Sequence, residues 1–412
     1  MTLSVFDHTL IYMSLNLVSR QDYLQELISF KDKDLIKVVT GIRRSGKSTL
    51  FDLYADYLLH NGVEQEQIIR INFEDAGFSD LLDYKKLYDY VNGKLTEGKK
   101  TYVFFDEIQN VHDFQKAVDG LYIKKNCDIY ITGSNAYLLS GELATLLSGR
   151  YVEIKVQPFS FAEYVAAKGG RTELAKKYQD YIENGSFPYT VYLNTKKDIH
   201  MYLEGVYNTV LLKDIVARNS ISDITLLQDV IAFVFDSIGN PLSATSIAHT
   251  LTSKGRKTSF HTVETYLDAL VKSFICYKVP RYDVKGKMLL STQSKYYVAD
   301  TGLRNFLLGS KRTDRGHILE NIVYLELIRR GYEVYVGKND DAEIDFIAVS
   351  SGYEEYYQVA YTVIDDATLE RELRPLESLK NHNAKFLLTM DYETVSHNGI
   401  KQLNVLEWLL DK

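Results

Sequence analysis

Four residues of the stretch GIRRSGKSTL, Gly41 to Leu50, have the types and spacing of a phosphate-binding loop: Gly41, Gly46, Lys47 and Ser48, in the form GxxxxGK[ST]. Glycine at 41 and 46 lets the chain curl so that the backbone N–H groups of Arg43, Arg44, Ser45, Gly46, Lys47, Ser48 and Thr49 point at phosphate oxygens. The positive end of a following helix reinforces them. The Lys47 ammonium then reaches the β- and γ-phosphates of a nucleotide, and the Ser48 hydroxyl completes the shell of a Mg²⁺ ion. The flanks agree with this chemistry. The apolar run LIKVVT precedes the loop as a strand, and FDLYADYLL follows it with helical spacing.

A second centre follows in TYVFFDEIQN, Thr101 to Asn110, where four apolar or aromatic residues run into Asp106 and Glu107. Two adjacent carboxylates at the end of a strand buried on both faces are costly unless they face a cation or a reacting group. Asp106 is expected to hold the Mg²⁺ shell and Glu107 to orient the attacking water. DIYITGSNAYLL repeats the pattern, with an apolar strand that ends in a neutral polar pair. Asn135, or nearly as well Ser134, would sense the γ-phosphate or the water, while Ser134 as a helix cap is the plain alternative. Arg150, just before the strand YVEIKVQ, could reach a phosphate across a subunit interface; its plain alternative is a surface salt bridge.

Strands that alternate with helices in this way call for an α/β fold with a right-handed, mostly parallel sheet covered on both faces. The spacing divides the chain into an N-terminal extension, 1–20, in which Met13 is an alternative start, and a P-loop core, 21–157. A helical lid, 158–223, follows, and Lys213 and Arg218 are its candidates for reaching a nucleotide. The order TGIRRSGKST, FFDEIQ, ITGSNA, then SGR with QPFSFAEY, then the GSFP turn resembles a large prokaryotic group of AAA-type ATPases with a C-terminal domain of unknown function. The resemblance covers nearly all of the chain beyond residue 20. It implies ATP and Mg²⁺ at Gly41, Gly46, Lys47 and Ser48, hydrolytic roles for Asp106 and Glu107, a sensor at Ser134 or Asn135, and a finger at Arg150. Where the group has a GG-x-P turn, this chain has Gly185, Ser186, Phe187 and Pro188.

Residues 224–300 have the pattern of a winged helix-turn-helix. PLSATSIAHTL and FHTVETYLDALVKSFICYKV are its helices, with Val263, Leu267 and Leu270 facing inward, and the strands around Lys285 and Lys287 form its wing. In a DNA complex Thr258, Ser259, His261 and Thr262 would face the groove, and the lysines would neutralise phosphates. The alternative is a protein-docking module. Residues 301–412 resemble the PD-(D/E)xK nuclease fold, a small α/β domain in which carboxylates bind Mg²⁺ and a lysine supports the attacking hydroxide. Glu320, Glu343 and Asp345 match that scheme. Gln358 replaces the second-strand carboxylate and Ala360 the lysine, so the domain is expected to bind or oligomerise rather than cut.

Composition sets the outer bounds. The 412 residues exceed what one hydrophobic core usually supports, and 45% hydrophobic with 25% charged residues is a globular balance. The excess of 32 tyrosines over one tryptophan has no functional assignment. No apolar run reaches the roughly 18 residues of a membrane span, and the N-terminus lacks a basic region before its apolar stretch. Cys127 and Cys276 read as buried free thiols, so a cytoplasmic protein without a membrane partner is expected. The formal net charge is −7, yet between Pro241 and Asp300 nine lysines and arginines face four carboxylates. That asymmetry marks one segment for an anionic partner. An ATP-driven switch or motor acting on DNA or a DNA-bound complex fits best, assembled from several copies if Arg150 acts between subunits. A nucleotide-gated protein scaffold and an ATP-controlled nuclease are the other two readings.

Overall fold

The computed structural model describes residues 18–134, 136–139, 147, 149–309 and 314–411. The chain divides into two compact units, Met1–Pro158 and Phe159–Lys412.

In the first unit five strands form one sheet: β1 (Ile36–Thr40), β2 (Ile68–Asn72), β3 (Thr101–Asp106), β4 (Cys127–Gly133) and β5 (Tyr151–Lys155). They lie in the order β2-β3-β4-β1-β5, every neighbour parallel. The period-two alternation of strands builds two cores. On one face Tyr102, Phe104 and Tyr130 pack with Leu50, Phe51, Tyr54 and Leu58 of the helix Lys47–His60. On the other, Val103, Phe105, Ile129 and Ile131 meet Leu87 and Val91 of the helix Tyr84–Asn92, and Ala117, Val118 and Leu121 of the helix Phe114–Tyr122. All the strands run the same way, so their carboxyl ends gather Gly41, Asp106 and Ser134 at one edge.

The opposite edge carries a buried charge pair. Lys37 of β1 is fully buried and donates to Asp128 of β4 and to the Lys33 carbonyl at 3.0 Å. Asp128 also accepts the Asp32 N–H at 2.9 Å and the Tyr130 hydroxyl at 2.8 Å. Burial pulls the Lys37 ammonium down, and the Asp128 carboxylate opposes it.

The second unit contains a mixed nine-stranded sheet: β6 (Pro241–Leu242), β7 (Cys276–Asp283), β8 (Met288–Val298), β9 (Glu333–Asn339), β10 (Ala342–Ser350), β11 (Tyr353–Val359), β12 (Ala384–Thr389), β13 (Val395–His397) and β14 (Ile400–Asn404). Its order is β13-β14-β12-β11-β10-β9-β7-β8-β6. The hairpin β7–β8, expected as a wing, is joined to the C-terminal strands because Arg281, Tyr282 and Asp283 pair in parallel with Val336, Gly337 and Lys338 of β9. The helix Arg315–Arg329 is buried continuously from Ile318 to Leu327.

The GSFP turn has a packing role in this unit. Asp300 accepts the Ser186 N–H at 2.5 Å and its hydroxyl at 2.7 Å, and caps the helix Thr301–Leu308 through the Leu303 N–H at 2.7 Å. A Cβ on Gly302 would lie 2.5 Å from the Gly185 Cα, so the two backbones meet only as glycines. Cys276 is buried as expected, whereas Cys127 is only half-buried because it opens β4 at the outer edge. Burial raises the Cys127 thiol to about 11 and that of Cys276 to about 12.

Asp128→Ala leaves the Lys37 ammonium buried without its carboxylate, and is expected to cost about 3–5 kcal/mol of stability. Urea unfolding followed by the near-ultraviolet signal of the tyrosines measures it.

Candidate nucleotide-binding site

β1 delivers the chain to Gly41 at φ +144°, where a Cβ would lie 2.0 Å from the Val156 carbonyl oxygen. Only glycine passes this point, because the end of β5 is held against β1 by the Val156 N–H on the Thr40 carbonyl at 2.8 Å. Arg44 at φ 68° and Gly46 at φ 96° complete the curl, and the helix begins at Lys47. Lys47 is folded back across the loop, donating to the Gly41 and Ile42 carbonyls at 2.9 and 3.2 Å, and its Nζ lies 3.9 Å from Glu107 Oε1. Arg43 reaches outward to Glu74 at 2.7 Å.

Ser48 stands beside the Asp106 carboxylate, where the loop meets the end of β3. Burial raises Asp106 above the usual carboxylate range, opposed by the hydrogen bonds from Ser48 and Thr132. Thr132 is the residue that organises this corner. Its hydroxyl donates to Asp106 Oδ1 at 2.5 Å and accepts the Glu107 N–H at 2.8 Å. Glu107 is turned by a left-handed backbone, φ 54°, and its Oε2 accepts Gln109 Nε2 at 2.5 Å. Ser134 is fully buried one residue beyond Gly133, and Asn135 lies outside the described residues.

The residues present fit a magnesium nucleotide. Ser45 Oγ and Gln109 Oε1 are buried with no hydrogen-bond partner, and the Ser48–Asp106 pair is an all-oxygen donor set suited to a hard cation. A model described as an AAA domain matches residues 33–165, and one described as a domain of unknown function matches residues 175–314. Over 403 residues the chain is 42% identical to an uncharacterized protein of Haemophilus influenzae, covering 97% of this chain and 100% of that one. It is 31% identical to an uncharacterized protein of Methanocaldococcus jannaschii, over 90% of this chain and 84% of the relative. The chain belongs to their family, and residues 33–165 are an AAA domain. A Walker-type ATPase of Pyrococcus abyssi shares the fold, with a TM-score of 0.51 and 15% identity over 71% of this chain and 96% of its own.

Two residues of the first unit escape the motif reading. Arg20, assigned by sequence to the loose extension, is buried. It donates to the Ser45 carbonyl at 2.8 Å and the Gln157 carbonyl at 2.7 Å, and so clamps the phosphate loop to the segment after β5. Thr132 carried a signal only as the last polar residue of the β4 run. Arg150 lies at the amino edge of the sheet, where its carbonyl accepts the Ile36 N–H at 2.8 Å and its side chain pairs with Asp119 at 2.7 Å. The loop of the same AAA domain is about 17 Å away along β1, so Arg150 does not touch it.

In the second unit Lys213 and Arg218 are exposed, the former within a π-helical run, Val210–Val216. The residues proposed for a groove are spread over a helix start. Ser259 caps the helix Phe260–Lys272 by accepting the Thr262 N–H at 3.1 Å, Thr258 and Thr262 are half-buried, and His261 is exposed. Lys287 is exposed and Lys285 pairs with Asp340.

Lys295 corrects two sequence readings. It was counted among the basic residues available to an anionic partner, yet it is only 3% exposed, because alternation along β8 turns it inward with Tyr297. The positive charge missing at Ala360 is also present after all, supplied from a distant strand. Lys295 Nζ lies 2.8 Å from Glu320 Oε1, 3.0 Å from Glu343 Oε1 and 3.9 Å from Asp345 Oδ1. Gln358 accepts the Asp345 N–H at 3.4 Å and donates to Glu372 at 2.9 Å. Among the described residues no helix is long and apolar enough to cross a membrane.

Arg20→Ala removes the clamp on the Ser45 carbonyl. Amide hydrogen exchange at residues 43–49 is expected to accelerate at least tenfold while the strands keep their protection; unchanged exchange in the loop would refute the clamp.

Proposed function

We propose that this chain binds and hydrolyses ATP with Mg²⁺, as a nucleotide-driven switch or motor. One observation carries the reading: Ser48 beside the Asp106 carboxylate, and a Lys47 ammonium 3.9 Å from Glu107. Side chains with the chemistry of a metal hydroxyl ligand, a metal carboxylate, a phosphate cation and a water-orienting carboxylate share one strand edge, which supports this reading. Loop amides and Lys47 hold the β- and γ-phosphates, and Ser48 and Asp106 would hold Mg²⁺, which neutralises developing phosphate charge. Glu107 accepts a hydrogen bond from the attacking water and aligns it, and Ser134 or Asn135 reads the γ-phosphate.

Steady-state turnover tests this. Lys47→Ala and Glu107→Gln are expected to abolish Mg²⁺-dependent ATP hydrolysis, and retained turnover in both sinks the proposal. Thr132→Val keeps the volume but frees the Glu107 N–H and the Asp106 carboxylate, so turnover should fall on the order of 100-fold with KM little changed.

Arg150 stands at the far edge of its own sheet, paired with Asp119, so as a finger it would serve a second copy, and the surface salt bridge is the alternative. ATP turnover per subunit is therefore expected to rise with protein concentration, and Arg150→Ala should flatten that rise. A constant rate from a confirmed monomer excludes it.

DNA is the partner favoured by the basic segment, read as a winged helix, because Lys254, Lys257 and Lys287 are exposed there. A protein-docking scaffold is the second reading, favoured by the Lys285–Asp340 pair, which ties one wing lysine to an acidic neighbour. Filter retention of duplex DNA at low salt separates the two. The ATP-controlled nuclease is the least supported, because a lysine that must meet a scissile phosphate cannot do so while buried like Lys295.

A further inference from the structure

Strand alternation sets Lys295 and Tyr297 on one face of β8, and Glu343 and Asp345 on one face of β10. The buried helix Arg315–Arg329 brings Glu320 to the same place. The result is three carboxylates from two elements whose oxygens converge on one nitrogen, at 2.8, 3.0 and 3.9 Å. The other contacts complete the shell. Tyr297 donates its hydroxyl to Glu320 Oε1 at 2.5 Å, Arg281 of β7 lies 3.3 Å from Glu343 Oε2, and Asp345 Oδ2 accepts the Val359 N–H at 2.8 Å.

Convergent carboxylate oxygens are the donor set of a divalent cation. Here the point of convergence is filled by a side chain of the chain itself. We propose that the Lys295 ammonium is the resident cation of this cluster, standing where a divalent metal would otherwise sit and keeping the C-terminal sheet metal-free and closed. Three observations support it. The ammonium is fixed by β8, which the hairpin to β7 and the β7–β9 pairing weld into the same sheet as Glu343 and Asp345. Two fixed positive groups, Lys295 and Arg281, already face three carboxylates, so little negative charge remains for an added ion. At Gly239, a Cβ would lie 3.0 Å from Glu320 Oε2 and 2.9 Å from the His317 ring, so the chain closes over the remaining side of Glu320. Among the described residues, no group of three or more His, Cys, Asp or Glu side chains stands ready to hold a metal.

The consequence is that removing the ammonium creates a metal site. The full chain without nucleotide is titrated with Mn²⁺, and free Mn²⁺ is read by electron paramagnetic resonance. Lys295→Met, with circular dichroism confirming its fold, is expected to bind one Mn²⁺ more than wild type, at least tenfold tighter than any Mn²⁺ on wild type at these carboxylates. Adding Asp345→Asn to that variant should remove the extra ion. A folded Lys295→Met with no added Mn²⁺ overturns the proposal. Wild type against Asp345→Asn alone decides the matter even if Lys295→Met does not fold. Equal Mn²⁺ binding by the two supports the lysine as the cation, whereas an ion, or Mn²⁺-dependent cleavage of linear or branched DNA, that disappears with Asp345→Asn overturns it.

Discussion

The hydroxyl of Thr132 is a single hydrogen-bonding group that the adjacent residues Asp106 and Glu107 both depend on. It donates to Asp106 and accepts from the backbone of Glu107, so it fixes both the charge at the end of β3 and the turn that aims the next residue. A buried carboxylate costs free energy unless hydrogen bonds satisfy it. Thr132 meets that need from the adjacent strand, and Ser48 meets it from the loop. The ends of β3 and β4 and the first turn of the following helix are thereby bound into one corner, and the left-handed backbone at Glu107 is held there by its neighbours rather than by its own preference.

The residues that meet at this corner were legible in the sequence where they rest on local spacing. Gly41, Gly46, Lys47 and Ser48 are contiguous, and Asp106 and Glu107 end a recognisable apolar run. Thr132 lies 26 residues from Asp106, and Arg20 lies 137 from its Gln157 partner. Contacts of that kind follow from the strand order β2-β3-β4-β1-β5, which periodicity does not encode: it marks strands but not their neighbours. Once β4 is known to lie between β3 and β1, Thr132 has no other place to point. Arg20 was hidden by the apolar, motif-free stretch around it.

In the second unit the same limit acts on charge. A count of lysines between Pro241 and Asp300 treats each as a surface cation, but strand alternation decides which of them are. Lys287 is at an exposed turn, whereas Lys295 shares an inward face with Tyr297. The hairpin that carries both read as a free wing, because a hairpin signal is local. Its parallel pairing with β9 joins residues more than 50 positions apart and makes it an interior part of a nine-stranded sheet.

The chain therefore contains two carboxylate centres, each with a lysine beside it, and the distances separate their uses. At the AAA domain Lys47 donates to the backbone carbonyls of Gly41 and Ile42 and stays 3.9 Å from Glu107. At the C-terminal cluster Lys295 makes close contacts of 2.8 and 3.0 Å and is almost wholly buried, so its charge is spent within the protein. An ammonium released from a carbonyl costs about 1 kcal/mol per hydrogen bond, whereas one pulled from the buried Glu320 and the half-buried Glu343 leaves uncompensated charge that costs about 3–5 kcal/mol. The first difference is of a size that a single ligand contact offsets. The second is of the size that folding sustains.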